Sequence, residues 1–279
     1  MKKGVQKIFS QIVGTYELIN HLLTWGLDIH WRQKAARLAV SLGGRCWLDI
    51  CTGTGEMAAL VARRWKKNLS RRGQEAVFSR YYTFLKSGRK TPASRSKAEA
   101  HLLCPKNNLK TRSPMVVGLD FCWEMLINAR QTKAPSLPIP LVFIQGDVGH
   151  LPFPDGTFAG VSISFATRNL GLTPKTLLPF FQEVQRVLQS GGVFVNLETS
   201  QPRPKWLRKM FHIYVQLTVK PLGRRLSGSA AGYAYLAHTI PRFLSPEELR
   251  ETLLQAGFSR VEVRKLWLGV AAIHLAYKE

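Results

Sequence analysis

The chain has 279 residues, of which 45% are hydrophobic, and these values are typical of one globular α/β domain with a large core. Forty Lys and Arg residues against 17 Asp and Glu residues give a formal net charge of +23, which favours nucleic acid, an anionic membrane surface or an acidic ligand as a partner. No apolar run approaches the roughly 18 residues of a membrane span, and polar residues interrupt the basic N-terminus, so we expect neither a membrane span nor a signal peptide.

The four cysteines are Cys46, Cys51, Cys104 and Cys122. They form no CxxC pair and have no zinc-binding spacing with the histidines. We therefore expect no metal site, four reduced thiols and a cytoplasmic location.

Strand-like and helix-like segments alternate along most of the chain. Strands are predicted at 45–50, 115–119, 141–145, 158–164 and 193–197, and helices at 56–65, 122–130 and 174–189. The sequence Ser190-Gly191-Gly192 predicts the C-terminal end of the last of these helices.

The C-terminal part begins with a capping box, Ser245-Pro246-Glu247-Glu248, which predicts a helix that ends near Gly257. Two strands follow at about 259–267 and 270–278, joined tightly around Leu268-Gly269. A tight link predicts an antiparallel pair. The expected fold class is therefore α/β: a doubly wound, mostly parallel sheet with a C-terminal antiparallel hairpin, in a single domain over 1–279.

One stretch departs from this alternation. Residues 63–112 contain fifteen Lys and Arg residues and two acids, for a local net charge of +13. We interpret 66–113 as a largely irregular, exposed insertion, and a solvated loop is the favoured interpretation. Contact with nucleic acid or anionic lipid is the alternative, because aromatic residues lie among the cations. These aromatic residues are Phe78, Tyr81, Tyr82 and Phe84.

The segment WLDICTGTGEM at 47–57 joins the first strand to the first α/β helix. Gly53 and Gly55 permit close approach of the backbone to a ligand, and the Thr54 hydroxyl can hydrogen-bond it. The GxGxxA spacing also fits a dinucleotide-binding turn, so the turn alone leaves NAD open.

Acidic residues favour S-adenosylmethionine over NAD. Asp49 and Glu56 flank the turn, which disfavours a pyrophosphate but suits a sulfonium and an ammonium group. Asp120 ends the second strand, where a carboxylate can hold ribose hydroxyls. Asp147 and Val148 follow the third strand, where they suit an adenine edge. Since ligands of open α/β sheets bind at the carboxyl ends of strands, these positions predict one cofactor site.

The sequence resembles the menaquinone/ubiquinone-biosynthesis C-methyltransferases over nearly the whole chain except about 66–113. The glycine turn is specific only to the wider methyltransferase superfamily. The block LPFPDGTF–ISFATRNL and the N-terminal run are more specific to the quinone group. The segments that carry the resemblance are IFSQIVGTYELINHLLTWGLDIHWR, LDICTGTGE, VVGLDFCWEML, GDVGHLPFPDGTFAGVSISFATRNL, VQRVLQSGGVFVNLETSQP and YAYLAHTI.

The resemblance implies a class I methyltransferase fold with S-adenosylmethionine as cofactor. The family's cofactor positions fall on Thr54, Asp120, Asp147 with Val148, and Ser164. Members of the family often have Gly-Gly-Thr-Gly-Asp where this chain has Thr-Gly-Thr-Gly-Glu at 52–56. Both glycines and an acid are therefore retained.

The implied reaction is C-methylation of a polyprenyl quinol, and a naphthoquinol and a benzoquinol both remain open. Arg168 and Asn169 match the family's Arg-Asn step beside the acceptor pocket. Arg168 would stabilise a developing phenolate and Asn169 would orient the ring or a water. A structural ion pair is the alternative role for Arg168. Tyr16, His30 and Glu198 are secondary candidates.

Two flanking regions, 1–44 and 200–244, are expected to be helical and to cover the substrate. Residues 204–225 combine apolar and basic positions, which predicts a lid helix, a contact with an anionic membrane, or both. A methyltransferase of RNA or of another small molecule is the alternative function, and a non-enzymatic scaffold is disfavoured because the cofactor acids are intact. The sequence does not indicate an oligomeric state.

Overall fold

Seven strands form one mixed sheet in the computed structural model, whose described residues are 3–44, 46–71, 114–133, 137, 139–227 and 230–279. The strands are β1 (Cys46–Ile50), β2 (Met115–Asp120), β3 (Leu141–Gln145), β4 (Phe158–Ser164), β5 (Leu188–Thr199), β6 (Arg260–Leu266) and β7 (Ala271–Tyr277). Their spatial order is β3-β2-β1-β4-β5-β7-β6. Only β7 runs antiparallel to its neighbours, β5 and β6. The predicted α/β sheet with a C-terminal hairpin is confirmed.

Helices connect and cover these strands. Those in the described residues are α1 (Lys3–Leu23), α2 (Leu27–Ser41), α3 (Glu56–Arg71), α4 (Trp123–Thr132), α5 (Thr167–Leu170), α6 (Pro174–Val187), α7 (Lys205–Ser227), α8 (Ala230–Thr239) and α9 (Pro246–Gln255). The predicted capping box begins α9: the Glu248 N–H donates to Ser245 Oγ (3.3 Å), and the Ser245 N–H donates to Glu248 Oε2 (2.8 Å).

Three apolar clusters hold the layers together. On one face of the sheet α6 and α9 pack with side chains such as Phe181 and Leu253, and on the other α2 and α3 pack with Trp31 and Trp65. A third cluster joins α1, α4, α7 and α8, and it includes Cys122, which follows the carboxyl end of β2. The predicted helical regions 1–44 and 200–244 therefore pack against each other beside the carboxyl edge of the sheet.

The boundary between α6 and β5 differs from the prediction. The helix ends at Val187, and the strand begins at Leu188, which is fully buried and pairs with Phe158. Gly191 has φ 75° and donates its N–H to the Lys278 carbonyl (2.7 Å), so Gly191 and Gly192 belong to an irregular part of the strand. The predicted glycine helix end is wrong, because burial of Leu188 in the core favours the extended backbone.

Two further predictions are corrected. Helix α3 continues to Arg71, so 66–71 are helical and only 72–113 of the predicted insertion lie outside the described residues. Cys51 and Cys122 are free thiols, but Cys46 is disulfide-bonded, so the expectation of four reduced cysteines is wrong. Cys104 lies outside the described residues. Within the described part of the chain, no helix combines the length and the apolar character needed to cross a bilayer.

Candidate active site

Backbone hydrogen bonds within the turn and to strand β2 hold the turn between β1 and α3. The Thr52 N–H donates to the Leu119 carbonyl (3.0 Å), and the Gly55 N–H donates to the Thr52 carbonyl (2.9 Å). Gly53 has φ 54° and Gly55 has φ 80°, a backbone region that favours glycine. A Cβ at Gly55 would meet the Phe143 ring at 3.0 Å, whereas a Cβ at Gly53 would have nothing within 4 Å. Gly55 therefore allows close packing, and Gly53 leaves open space for a ligand.

Asp120, at the end of β2, accepts two backbone hydrogen bonds. The Gly53 N–H donates to Oδ2 (2.8 Å) and the Cys122 N–H donates to Oδ1 (2.9 Å). Burial raises the pKa of this carboxyl to about 6, although the backbone donors act in the opposite direction. Because two carboxylate oxygens offer about four acceptor sites, capacity remains for a ligand hydroxyl. Asp120 is thus fixed directly beside the glycine turn.

Asp49 lies beneath the same turn. Its two carboxylate oxygens accept hydrogen bonds from Ser162 Oγ and Thr52 Oγ1, each at 2.6 Å. Trp47 Nε1 donates to Ser162 Oγ (3.0 Å) and extends the chain of hydrogen bonds. Burial raises the pKa of Asp49 to about 6. The carboxylate therefore supports the turn through side-chain partners rather than projecting into open space.

Glu56, the second acid of the turn, faces the N-terminal helices. Its Oε2 lies 3.3 Å from Arg32 Nη2, and its Oε1 lies 3.4 Å from His21 Nε2. Arg32 also pairs with Asp28, and His21 Nδ1 lies 2.8 Å from Asp28 Oδ2. Burial tends to raise the pKa of Asp28, but Arg32, Thr24 and His21 hold it below its usual value. This network ties α1 and α2 to the cofactor turn.

Sequence reasoning missed this network. Asp28 and Arg32 are four residues apart on α2, a spacing that indicates an ion pair within a helix. Their partners His21 and Glu56 are on other elements, and no local pattern links them.

The remaining predicted cofactor residues lie at or just after the carboxyl ends of β3 and β4, which flank β2 and β1 in the sheet. Asp147 follows β3, and its Oδ1 accepts from the Gly149 N–H (2.9 Å). Val148 is buried, and Ser164 is half-buried at the end of β4. The Gly146 N–H donates to the Asp120 carbonyl (2.9 Å), which joins the ends of β2 and β3. The structure brings the predicted set together along one edge.

A largely apolar cavity of about 290 Å³ opens beside this edge. Its apolar walls come from α2, α7, α8 and the end of β4, and include Trp31, Phe165, Phe211, Val215 and Leu236. Polar side chains among the described residues also line it: Asn20, Thr24, Asp28, Arg32, Arg168, Thr199 and Tyr214. The Arg32 guanidinium lies over the Phe165 ring, 4.8 Å from its centroid. An apolar cavity with a few buried polar groups suits an apolar ligand with a polar head.

Arg168 forms the ion pair that the sequence offered as its alternative role, and it also lies at the cavity. Its Nη1 donates to Glu198 Oε1 (2.6 Å) and to the Phe165 carbonyl (2.8 Å), so it forms a buried ion pair. Arg168 also lines the cavity, and its buried Nε has no hydrogen-bond partner among the described residues. Glu198 accepts three further hydrogen bonds, from the Arg168 N–H (3.2 Å), the Thr199 N–H (2.8 Å) and Thr199 Oγ1 (2.9 Å).

The other candidates differ in position. Asn169 follows Arg168 on α5, and its buried Oδ1 also lacks a partner within the described part of the chain. His30 is exposed on α2 and does not line the cavity. Tyr16 belongs to α1, but its side chain lies outside what the structure describes.

The strand order, the glycine turn after β1 and the acid after β2 together define a class I methyltransferase. The fold is similar to that of an S-adenosylmethionine-dependent methyltransferase from Thermotoga maritima, with a TM-score of 0.57, 15% identity and coverage of 99% of this chain and 100% of that one. It is also similar to human N-acetylserotonin methyltransferase, solved with S-adenosylmethionine, with a TM-score of 0.53, 14% identity and coverage of 96% and 58%.

The chain belongs to the ubiE/COQ5 methyltransferase family, whose sequence model matches residues 1–278. A demethylmenaquinone methyltransferase from Thermus thermophilus is 33% identical over 270 residues, which are 96% of this chain and 98% of the relative. A second, from Porphyromonas gingivalis, is 28% identical over 275 residues, which are 98% and 92% of the two chains. The predicted family and the prediction of an S-adenosylmethionine-dependent methyltransferase are confirmed.

Proposed function

We propose that this methyltransferase acts on a ring carbon of a polyprenyl quinol. The observation that carries the proposal is the apolar cavity, which lies beside the cofactor edge and contains the buried cations Arg32 and Arg168. An isoprenoid tail requires apolar walls, and a quinol ring requires a few polar groups at one place. The names of the relatives favour demethylmenaquinol, a naphthoquinol, over a benzoquinol.

The cofactor-binding residues fit S-adenosylmethionine. Open space over Gly53 and the remaining acceptor capacity of Asp120 support binding of a ribose at the turn. Thr54 and Ser164 would contact the cofactor nearby, and Asp147 with Val148 would hold the adenine. When bound, the cofactor supplies a methyl group that its sulfonium makes electrophilic.

The chain's own residues would prepare the acceptor. A quinol ring becomes nucleophilic at carbon when a neighbouring hydroxyl loses its proton, and the buried Arg168 guanidinium would stabilise the resulting phenolate. Asn169 Oδ1, which lacks a protein partner among the described residues, would hold a water or a ring hydroxyl. Tyr16 remains a third candidate. Trp31 and Phe165 would exclude bulk water from the ring.

Peripheral association with the inner face of the membrane is part of the proposal, because a polyprenyl quinol resides in the bilayer. A methyltransferase that takes such a substrate has to reach it at the membrane surface. The apolar outer positions of α7 support this location.

A methyl-transfer assay with demethylmenaquinol, a benzoquinol analogue and bulk RNA in parallel tests the proposal. We expect product with demethylmenaquinol and little with RNA. Product from RNA alone would overturn the quinol assignment. Calorimetry with S-adenosylhomocysteine tests the alternative that the chain is a non-enzymatic scaffold. A chain that does not bind the cofactor could not be the enzyme.

A further inference from the structure

Exposed apolar side chains occur on three elements that also contribute residues to the cavity wall. They come from three elements: the turn between α1 and α2, the outer face of α7, and the turn between β6 and β7. We call them the apolar rim: Trp25, Trp206, Met210, Ile213, Leu217, Trp267 and Leu268. The most exposed are Trp25 (82%), Leu268 (76%) and Leu217 (69%). Trp25, Met210 and Trp267 also line the cavity, so the rim and the cavity wall are continuous.

Helix α7 is apolar on two sides. Trp206, Met210, Ile213 and Leu217 recur at helical spacing and are exposed. Neighbouring positions such as Phe211, Tyr214 and Val215 line the cavity. A helix that only covers a cavity in water carries polar residues on its outer face. The exposed side of α7 instead carries an apolar stripe next to the exposed polar residues Lys205, Lys209 and Gln216, and this stripe indicates an apolar surface beyond the cavity lid.

Both turns hold bulky residues in an unfavourable backbone conformation. The φ angles are 54° at Trp25, 43° at Trp267 and 56° at Leu268. Large side chains rarely adopt this left-handed region, and such strain is typical of functional positions. Trp25 is also anchored, since its Nε1 donates to Tyr214 Oη (3.2 Å), which donates to the Leu23 carbonyl (2.7 Å). The structure thus anchors the exposed Trp25 side chain, while the Trp267 and Leu268 side chains are exposed on a turn with an unfavourable backbone.

Positive charge lies beside the rim. Lys205 and Lys209 are exposed on the same helix as Trp206 and Met210, and the whole chain has a net charge of +23. Tryptophan at headgroup level together with flanking lysine is typical of proteins that bind the interface of an anionic bilayer.

We propose that the apolar rim docks on the surface of an anionic bilayer, with the cavity mouth facing the lipid. The acceptor then enters directly from the bilayer, and its tail never crosses water. Trp25 and the Trp267–Leu268 turn insert on either side of the mouth, and α7 lies along the surface. The identity of the lipid-borne acceptor rests on the proposed function, whereas the docking itself rests on the rim.

Sedimentation with vesicles tests the docking. The vesicles contain phosphatidylcholine alone or with phosphatidylglycerol. The full chain is compared with the triple variant Trp206→Ser, Leu217→Ser and Leu268→Ser, which changes exposed rim residues outside the cavity lining. We expect the partition coefficient on anionic vesicles to fall by about tenfold or more in the variant. The matched control changes Leu42→Ser and Ile127→Ser, two exposed apolar positions outside the rim, and should stay within about twofold.

Three further measurements separate the outcomes. Unchanged affinity for S-adenosylhomocysteine shows that the variant is folded. We expect the variant to keep activity on a short-chain, water-soluble quinol and to lose it on polyprenyl quinol in vesicles. Vesicle binding equal to that of the parent would overturn the proposal, and so would a parent dimer that becomes a monomer in the variant. If rim-dependent binding occurs but no quinol is methylated, the proposed function fails and the docking stands.

Discussion

Gly53 and Gly55 share a left-handed backbone but have different surroundings, so the same substitution should affect them differently. Gly53→Ala places a methyl group in open space at the turn, and we expect a loss of about tenfold or more in affinity for S-adenosylhomocysteine. Its unfolding free energy should fall by only about 1–2 kcal/mol. Gly55→Ala adds contact with Phe143 to this strain and should cost about 1–3 kcal/mol more.

Calorimetry and urea denaturation measure the two effects separately. Gly43→Ala is the control, because Gly43 has φ 85° and open space around its Cβ position but lies in the link from α2 to β1. It should reproduce the strain of Gly53→Ala without the loss of affinity. Equal affinity losses at Gly43 and Gly53 would mean that the open space over Gly53 does not receive the cofactor.

The pKa of Asp120 sets an expected pH dependence of cofactor binding. Burial raises this pKa to about 6, so the carboxyl takes up a proton as the pH falls below 6. A protonated carboxyl is a weaker acceptor, and the dissociation constant should therefore rise as the pH falls, by up to about tenfold per unit for each linked proton. Asp49 has a similar pKa and would contribute in the same direction.

Calorimetric titrations between pH 5 and pH 8 test this dependence. Asp120→Asn should weaken binding at pH 8 and flatten the pH profile. Asp155→Asn, which removes a largely exposed acid, should leave both unchanged. An equally steep profile in Asp120→Asn would show that this carboxyl does not control binding.

At the scale of elements, the Arg168–Glu198 pair joins α5 to β5. Arg168→Met leaves the Glu198 carboxylate buried without its cation, and we expect the unfolding free energy to fall by about 3–5 kcal/mol. The double variant Arg168→Met, Glu198→Met removes both charges and should recover most of that stability. Methyl transfer should stay lost in the double variant if Arg168, which lines the cavity, stabilises the phenolate as proposed.

Chemical denaturation and single-turnover assays on both variants decide between the roles of Arg168. Recovered activity in the double variant would make Arg168 a purely structural partner. Arg250→Met is the control, since its pair with Glu251 is exposed and contributes little.

At the scale of the whole molecule, we predict that the basic stretch can be removed without loss of the catalytic core. The described chain leaves the core at the end of α3 and returns at β2, and the described residues of the three core clusters all lie outside 72–113. Replacing 74–111 with a short Gly/Ser linker should leave the affinity for S-adenosylhomocysteine unchanged within about twofold. The solvated-loop interpretation predicts unchanged activity in the methyl-transfer assay and unchanged binding in the vesicle-sedimentation assay. Reduced binding of RNA or anionic vesicles would instead support a contact role for this stretch.

The spacing of residues close together in the sequence predicted many of the turns and several candidate site residues of this protein. The glycine turn and the acids after β2 and β3 follow from short patterns, because a parallel sheet brings strand ends to one edge. The capping box at Ser245 and the final hairpin were predictable because each is formed by residues close together in the chain. The boundary at Leu188 was not, since burial in the core outweighed a local helix-end signal.

The tertiary structure alone decided which side chains meet across the fold. The contacts of Glu56 with Arg32 and His21 join elements far apart in the chain, and the apolar cavity has walls from both flanking helical regions. The sequence showed that 204–225 is apolar and basic, but only packing separates its cavity face from its exposed face. Local patterns of residues determine helices, strands and turns. Cavities and exposed apolar rims depend on packing between residues far apart in the chain, and the periodicity of the sequence does not predict that packing.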